Sequence, residues 1–200
     1  MRFLGGTLLF GIAVLMTGCV PSLHPLYTKE DVFIEPALVG TWVTNDESEI
    51  WRFEISGDGY QLSHSVRKSR PPEDGNREAE QFETAEFEAR LVRIGNYLFI
   101  DLFPEEPEIE DDLYKIHLLP VHTILRVWLE GDALSMAMLD HDWLKKEIEG
   151  GRIRIAHEPW DDGKSILLTA SSKELQGLVA QYAEDRNAFP EPEEPLRRRR

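Results

Sequence analysis

The chain of 200 residues carries 37 acidic against 22 basic side chains, a formal net charge of −15, and a single cysteine. That balance repels phosphate backbones and excludes the basic stripe that nucleic-acid binding needs. One cysteine excludes an internal disulfide framework and a multi-thiolate zinc site, and the length suits one domain with a real core plus tails.

Met1-Arg2 is a minimal positive start, and the stretch from Phe3 to Met16 is apolar apart from Gly5, Gly6, Thr7 and Gly11. This is the length of a secretory h-region and falls short of the ~20 apolar residues of a membrane span. Small Thr17 and Gly18 precede Cys19, as the shallow subsites of signal peptidases require. Met16 to Cys19, "MTGC", resembles the lipobox of bacterial lipoproteins, with methionine where leucine is usual. The resemblance implies that residues 1–18 are a lipoprotein signal peptide, that the Cys19 sulfur carries lipid, and that the mature chain has no free thiol. Several acyl chains at ~0.8 kcal/mol per buried methylene hold such a protein stably on a membrane. Residues 20–36 hold three prolines and no sustained periodicity, so 19–35 reads as a tether.

From Pro36 the dominant signal is alternation, the mark of half-buried strands. In Ile50 to Ile55, Trp51, Phe53 and Ile55 share one face, and Arg52 and Glu54 the other. The turn Ser56 to Gly59 leads into Tyr60 to Arg67, where Tyr60, Leu62, His64 and Val66 alternate with polar residues. A polar loop over 68–81 precedes a second hairpin, Phe87 to Ile94 and Tyr97 to Phe103, turned at Gly95-Asn96; both faces of its second strand are apolar. Pro104 to Asp112 then carries six carboxylates in nine residues. Further strands are expected at Leu113 to Leu119 and His122 to Leu129, with Pro120 at a bend, and at Ala133 to Leu139. A short helix spans 140–149, capped by Asp140 and stopped at Gly150, before strands at Arg152 to Glu158 and Ser165 to Ala170. A C-terminal amphipathic helix follows, with a capping box at Ser171 and Glu174 and an apolar stripe of Leu175, Leu178, Val179 and Tyr182.

The expected fold is all-β: an antiparallel meander barrel of about eight or nine strands, with the short helix and the C-terminal helix, because closure hides sheet edges. The domain runs over 36–187. Residues 188–200, a Pro/Glu tract ending in Arg197 to Arg200, read as a disordered tail.

Gly40-Thr41-Trp42, opening the first strand, resembles the G-x-W motif of lipocalins and other calycins. The resemblance implies a tryptophan plugging the closed end of the barrel and an arginine from a late strand covering it, a part open to Arg152 or Arg154. The chain is also similar to small bacterial lipoproteins that carry a segment like Ser22 to Tyr27 just after the lipidated cysteine. Val20 after Cys19 resembles an outer-membrane sorting signal, which implies a lipid-anchored protein facing the periplasm.

Candidate ligand-lining residues are Trp42, His64, Asp101, Arg126 and His157. His64 and His157 fall on the apolar faces of their strands, beside Leu62 and Val66 and beside Ile153 and Ile155. Asp101 interrupts the face of Tyr97, Phe99 and Phe103, where it could meet a ligand inside the barrel or hold Arg126 in an ion pair. His117, His122 and His141 with Asp140 and Asp142 are a weak zinc set that lacks helical ligand spacing. The acidic run reads as a solvated, self-repelling loop, and Ser171 and Ser172 as helix caps in place of nucleophiles.

The sequence therefore leads to a non-catalytic, lipid-anchored envelope protein, without cofactor, whose barrel takes a lipid-like or small hydrophobic ligand. One alternative is an interaction or inhibitor module offering its acidic surface to a basic envelope protein. Another is a metal-dependent hydrolase on the three histidines.

Overall fold

The structure is a computed structural model that describes residues 19–68, 81–160 and 164–200. The expected signal peptide lies outside the described residues, as does the interior of the polar loop at 68–81.

Alternation produces the two hairpins and most of the later strands. β1 is Pro21–Ser22, β2 Gly40–Val43, β3 Glu49–Ser56, β4 Gly59–Arg67, β5 Phe82–Ile94 and β6 Tyr97–Pro104. β7 is His122–Glu130, β8 Ala133–Met138, β9 His157–Trp160, β10 Ser165–Leu168 and β11 Leu196–Arg198. Helix α1 is Asp112–Lys115, α2 His141–Glu149 and α3 Ser172–Tyr182. The order β2-β3-β4-β5-β6-β7-β8-β11 returns to β2, which closes an eight-stranded antiparallel barrel. β5 makes closure possible. Its first residues pair with β4 and its last with β6, the stagger that a tilted barrel needs. β1, β10 and β9 extend the sheet from the flank of β7.

Two apolar cores result. Register carries Tyr60 onto Ala89, Ala89 onto Leu102, and Leu91 onto Ile100, which meets Leu125, so these face inward. With Trp42, Phe53, Leu62, Val127 and Leu134 they fill the barrel, and most are fully shielded from solvent. On the outer wall, Val92, Phe99, Ile124 and Ala137 pack beneath Leu144 of α2 and Leu175, Leu178 and Val179 of α3. The double-faced apolar pattern of β6 is thereby explained: Leu98, Ile100 and Leu102 point in, whereas Phe99 points out beneath the helices and Asp101 out toward Leu26 and His122. The capping box of α3 forms as expected between Ser171 and Glu174.

The ends of the chain belong to the body. Residues 19–35 pack on the barrel: Val20, Ser22 and Leu26 are buried, β1 pairs with β7, and Val32 bridges Val92. Their prolines suppress periodicity, but isolated apolar anchors suffice where a flank of the sheet is free. Residues 188–200 are ordered too. Ala188 and Phe189 are buried against the outer core, and β11 supplies the eighth barrel strand. The arginines that suggested a solvated end meet carboxylates of an acidic body: Arg199 pairs with Glu47, and Arg200 with Asp132 at 2.9 Å.

Two expected strands differ. Leu113 to Leu119 forms α1 and an irregular loop, because β6 and β7 pair directly and leave no gap for a strand between them. Asp111 starts α1 by accepting the Tyr114 amide. Of Arg152 to Glu158, only the last residues enter β9, whose partner β10 meets it from His157 onward.

Candidate functional site: the barrel rim

One end of the barrel is plugged. The 3₁₀ turn Pro36–Leu38 crosses it, and Trp42 donates its indole N–H to the Leu38 carbonyl at 2.9 Å. Tyr60 Oη accepts the Glu35 amide at 2.6 Å and ties the same segment down. Arg198 of β11 lies over the Trp42 ring, 4.2 Å from guanidinium carbon to ring centre, and donates to the Val39 carbonyl at 2.7 Å. The covering arginine is therefore neither Arg152, which pairs with Glu147, nor Arg154. It sits in the stretch read as a disordered tail. A basic run after a Pro/Glu tract gives no strand signal, and only closure of the barrel reveals its place.

The remaining candidates separate. His64 lies on the inner face at the other end, its ring 4.1 Å from that of Trp51. Its Nε2 is 3.8 Å from Glu49, too long for a hydrogen bond. Asp101 points outward, not into the barrel, and its partner is His122 rather than Arg126. His122 Nδ1 stands 2.6 Å from Asp101 Oδ1, and the Leu26 amide donates to Oδ2 at 2.7 Å. The rings of Tyr27 and Phe103 wall in this pair. Burial pushes the Asp101 carboxyl above its ordinary value, and the His122 contact offsets that only in part. Arg126 lies on the same wall, 4.4 Å from the Tyr97 ring and 4.9 Å from that of Trp128, and donates to the Ala183 carbonyl at 2.8 Å. It ties the end of α3 to the barrel. His157 is in β9, outside the barrel, with Nδ1 donating to the Ile155 carbonyl at 2.9 Å.

The three zinc candidates also part. His117 is exposed in the β6–β7 loop, His122 is engaged by Asp101, and His141 opens α2 with Nδ1 3.1 Å from Asp142. Among the described residues, no group of three or more His, Cys, Asp or Glu side chains is placed to hold a metal ion. The Cys19 Sγ lies 3.7 Å from Thr123 Oγ1. Burial raises its thiol pKa and the Thr123 contact lowers it less, the opposite of an activated nucleophile.

What the tertiary structure adds is a groove of about 730 Å³ at the rim opposite the plug. Its apolar walls come from Phe103, Leu118, Leu119, Pro120 and Trp160, and its polar lining from Glu105, Glu106, Lys115 and His117. Lys115 Nζ pairs with Glu106 at 3.0 Å, which ties α1 to the acidic stretch. The volume is in the range of small-molecule sites, and the lining fits an apolar ligand with a polar end. The signal was present in the apolar side chains of 113–119, but alternation assigned them to a strand. Trp160 had no sequence cue. Compared with known proteins, the chain matches no family model, no curated protein and no solved structure.

Proposed function

We propose that this chain is a lipid-anchored envelope protein with a non-catalytic site for a lipid-like or small hydrophobic ligand, seated in the rim groove rather than inside the barrel. The groove of about 730 Å³ walled by Phe103, Leu118, Leu119 and Trp160 carries the reading. The inner volume is occupied by Trp42, Phe53, Tyr60 and their neighbours, which moves the ligand to the rim. Arg198 over Trp42 supports the resemblance of Gly40-Thr41-Trp42 to calycins. "MTGC" supports Cys19 as the lipid attachment point, and Val20 directly after it supports a periplasm-facing outer-membrane location.

The test is native mass spectrometry of the protein extracted from the membranes of its own host, with uptake of a fluorescent fatty acid as a second readout. A co-purifying hydrophobic ligand, lost together with probe uptake in Leu119→Glu and Trp160→Ala, is expected. An empty protein that takes up no probe overturns the reading.

A second reading rests on the loop itself. All six carboxylates from Glu105 to Asp112 are exposed, a surface for a basic envelope protein. Capture of such a partner that weakens with added salt would favour it.

A further inference from the structure

The plugged end and the grooved end differ in what they expose. All but one of the large apolar side chains that stand exposed among the described residues lie at the grooved end. The exception is Ile55, beside the β3–β4 turn. Ile116 is 74% exposed, Leu113 68% and Leu119 61%, all in the loop between β6 and β7; Trp160 adds an indole at 41%. Val66 and Met138 end β4 and β8 at the same rim.

Cys19 belongs to this end. Thr123, the partner of its sulfur, is the second residue of β7, directly after that loop. Thr123 pairs with inward-facing Leu102, so the sulfur is turned toward the inner face at the rim. Trp160 is near by construction. It pairs with Ser165 at the start of β10, and β10 runs parallel to β1, whose start follows Cys19. Val20 and Ser22 are buried, so no slack separates Cys19 from the barrel wall.

We infer that this rim docks flat on the bilayer that holds Cys19, with Leu113, Ile116, Leu119 and Trp160 in the interface and the groove opening toward lipid. The inference rests on the lipid-anchor reading. An anchor with no stalk fixes which face of the body meets the membrane, and the face it selects is the apolar one. Partition of these side chains into the interface is favoured by apolar burial, and an indole suits the headgroup level. The six carboxylates on the same loop select the lipid: they are repelled by an anionic surface and tolerated by a zwitterionic one.

The experiment uses the full chain made with its own N-terminus in a lipoprotein-processing bacterium and reconstituted in phosphatidylcholine vesicles. Single cysteines at Ile116→Cys, Leu119→Cys and, at the plugged end, Asn96→Cys carry an environment-sensitive fluorophore. Spin-labelled phospholipid should quench the probes at 116 and 119 several-fold more than the probe at 96. Replacing half the lipid by phosphatidylglycerol should reduce that difference. Probes at 116 and 119 quenched no more than at 96 overturn the inference and leave the anchor standing. Probes shielded from both lipid quencher and aqueous iodide overturn it in favour of a protein partner or second copy. An intact mass without acyl chains overturns the anchor reading, and this inference with it.

Discussion

The guanidinium of Arg198 lies 4.2 Å from the ring of Trp42, joining the last strand of the barrel to the first. The contact depends on a third residue. Gly40 has φ +126°, and a Cβ there would stand 2.8 Å from Arg198 Nη1. Arg198→Ala removes the ring contact and the donors to Val39 and Ala37, and should cost about 2–4 kcal/mol. Gly40→Ala should cost about 1–3 kcal/mol through backbone strain and displacement of Arg198. Because they damage one contact, the double variant should lose less than the sum, read from urea midpoints in a double-mutant cycle. Full additivity would show that the two sites act separately.

β11 is three residues long but pairs on both sides, with β2 and with β8. A chain ending at Pro195 would leave those two strands as open edges. Its Tm should fall by at least about 10 °C, with aggregation on heating. A truncated protein melting like the full chain would show that closure contributes little.

Asp101 supplies a pH dependence with a definite sign. Its carboxyl is raised by burial above the ordinary 3.8, so across the window above 3.8 the folded state binds more protons than the unfolded one. The stability it contributes is full below that value and is lost as pH rises through the folded-state pKa. Asp101→Asn should abolish this slope in denaturant titrations taken between pH 4 and pH 8. Asp101→Leu, which leaves the Leu26 amide and His122 Nδ1 unpaired, should cost about 2–4 kcal/mol.

Asp46 has the opposite sign. Its carboxylate accepts from the Ser48 amide and hydroxyl and from Thr44 Oγ1, which lowers its pKa to about 2. The turn between β2 and β3 should stay intact above pH 3.8 and loosen as pH falls toward 2. A carboxyl carbon titration by NMR with its midpoint near the ordinary value would refute the hydrogen-bonded turn.

The hairpins were legible because alternation plus Gly-containing turns specifies them locally: Trp51, Phe53, Tyr60 and Leu62 face the core as their spacing demands. β6 was legible as a strand but not in its facing. With apolar residues on both sides, only pairing with β5 and β7 decides that Asp101 points out and Ile100 in. The site was half legible. Trp42 and His64 fall inside the barrel, while Asp101, Arg126 and His157 do not. The groove joins Phe103 and Leu119 to Trp160 across a sequence gap that no local pattern bridges.

Composition and periodicity thus determined an acidic all-β body with a helix at its C-terminal side, because burying one face of a strand or helix is written in the spacing of its own residues. The tertiary structure alone decided how the barrel closes, which face of β6 is inside, and that Cys19 and the exposed apolar loop share one rim. These are long-range relations. They follow from register and closure, which pair residues far apart in the chain and leave no mark on either segment by itself.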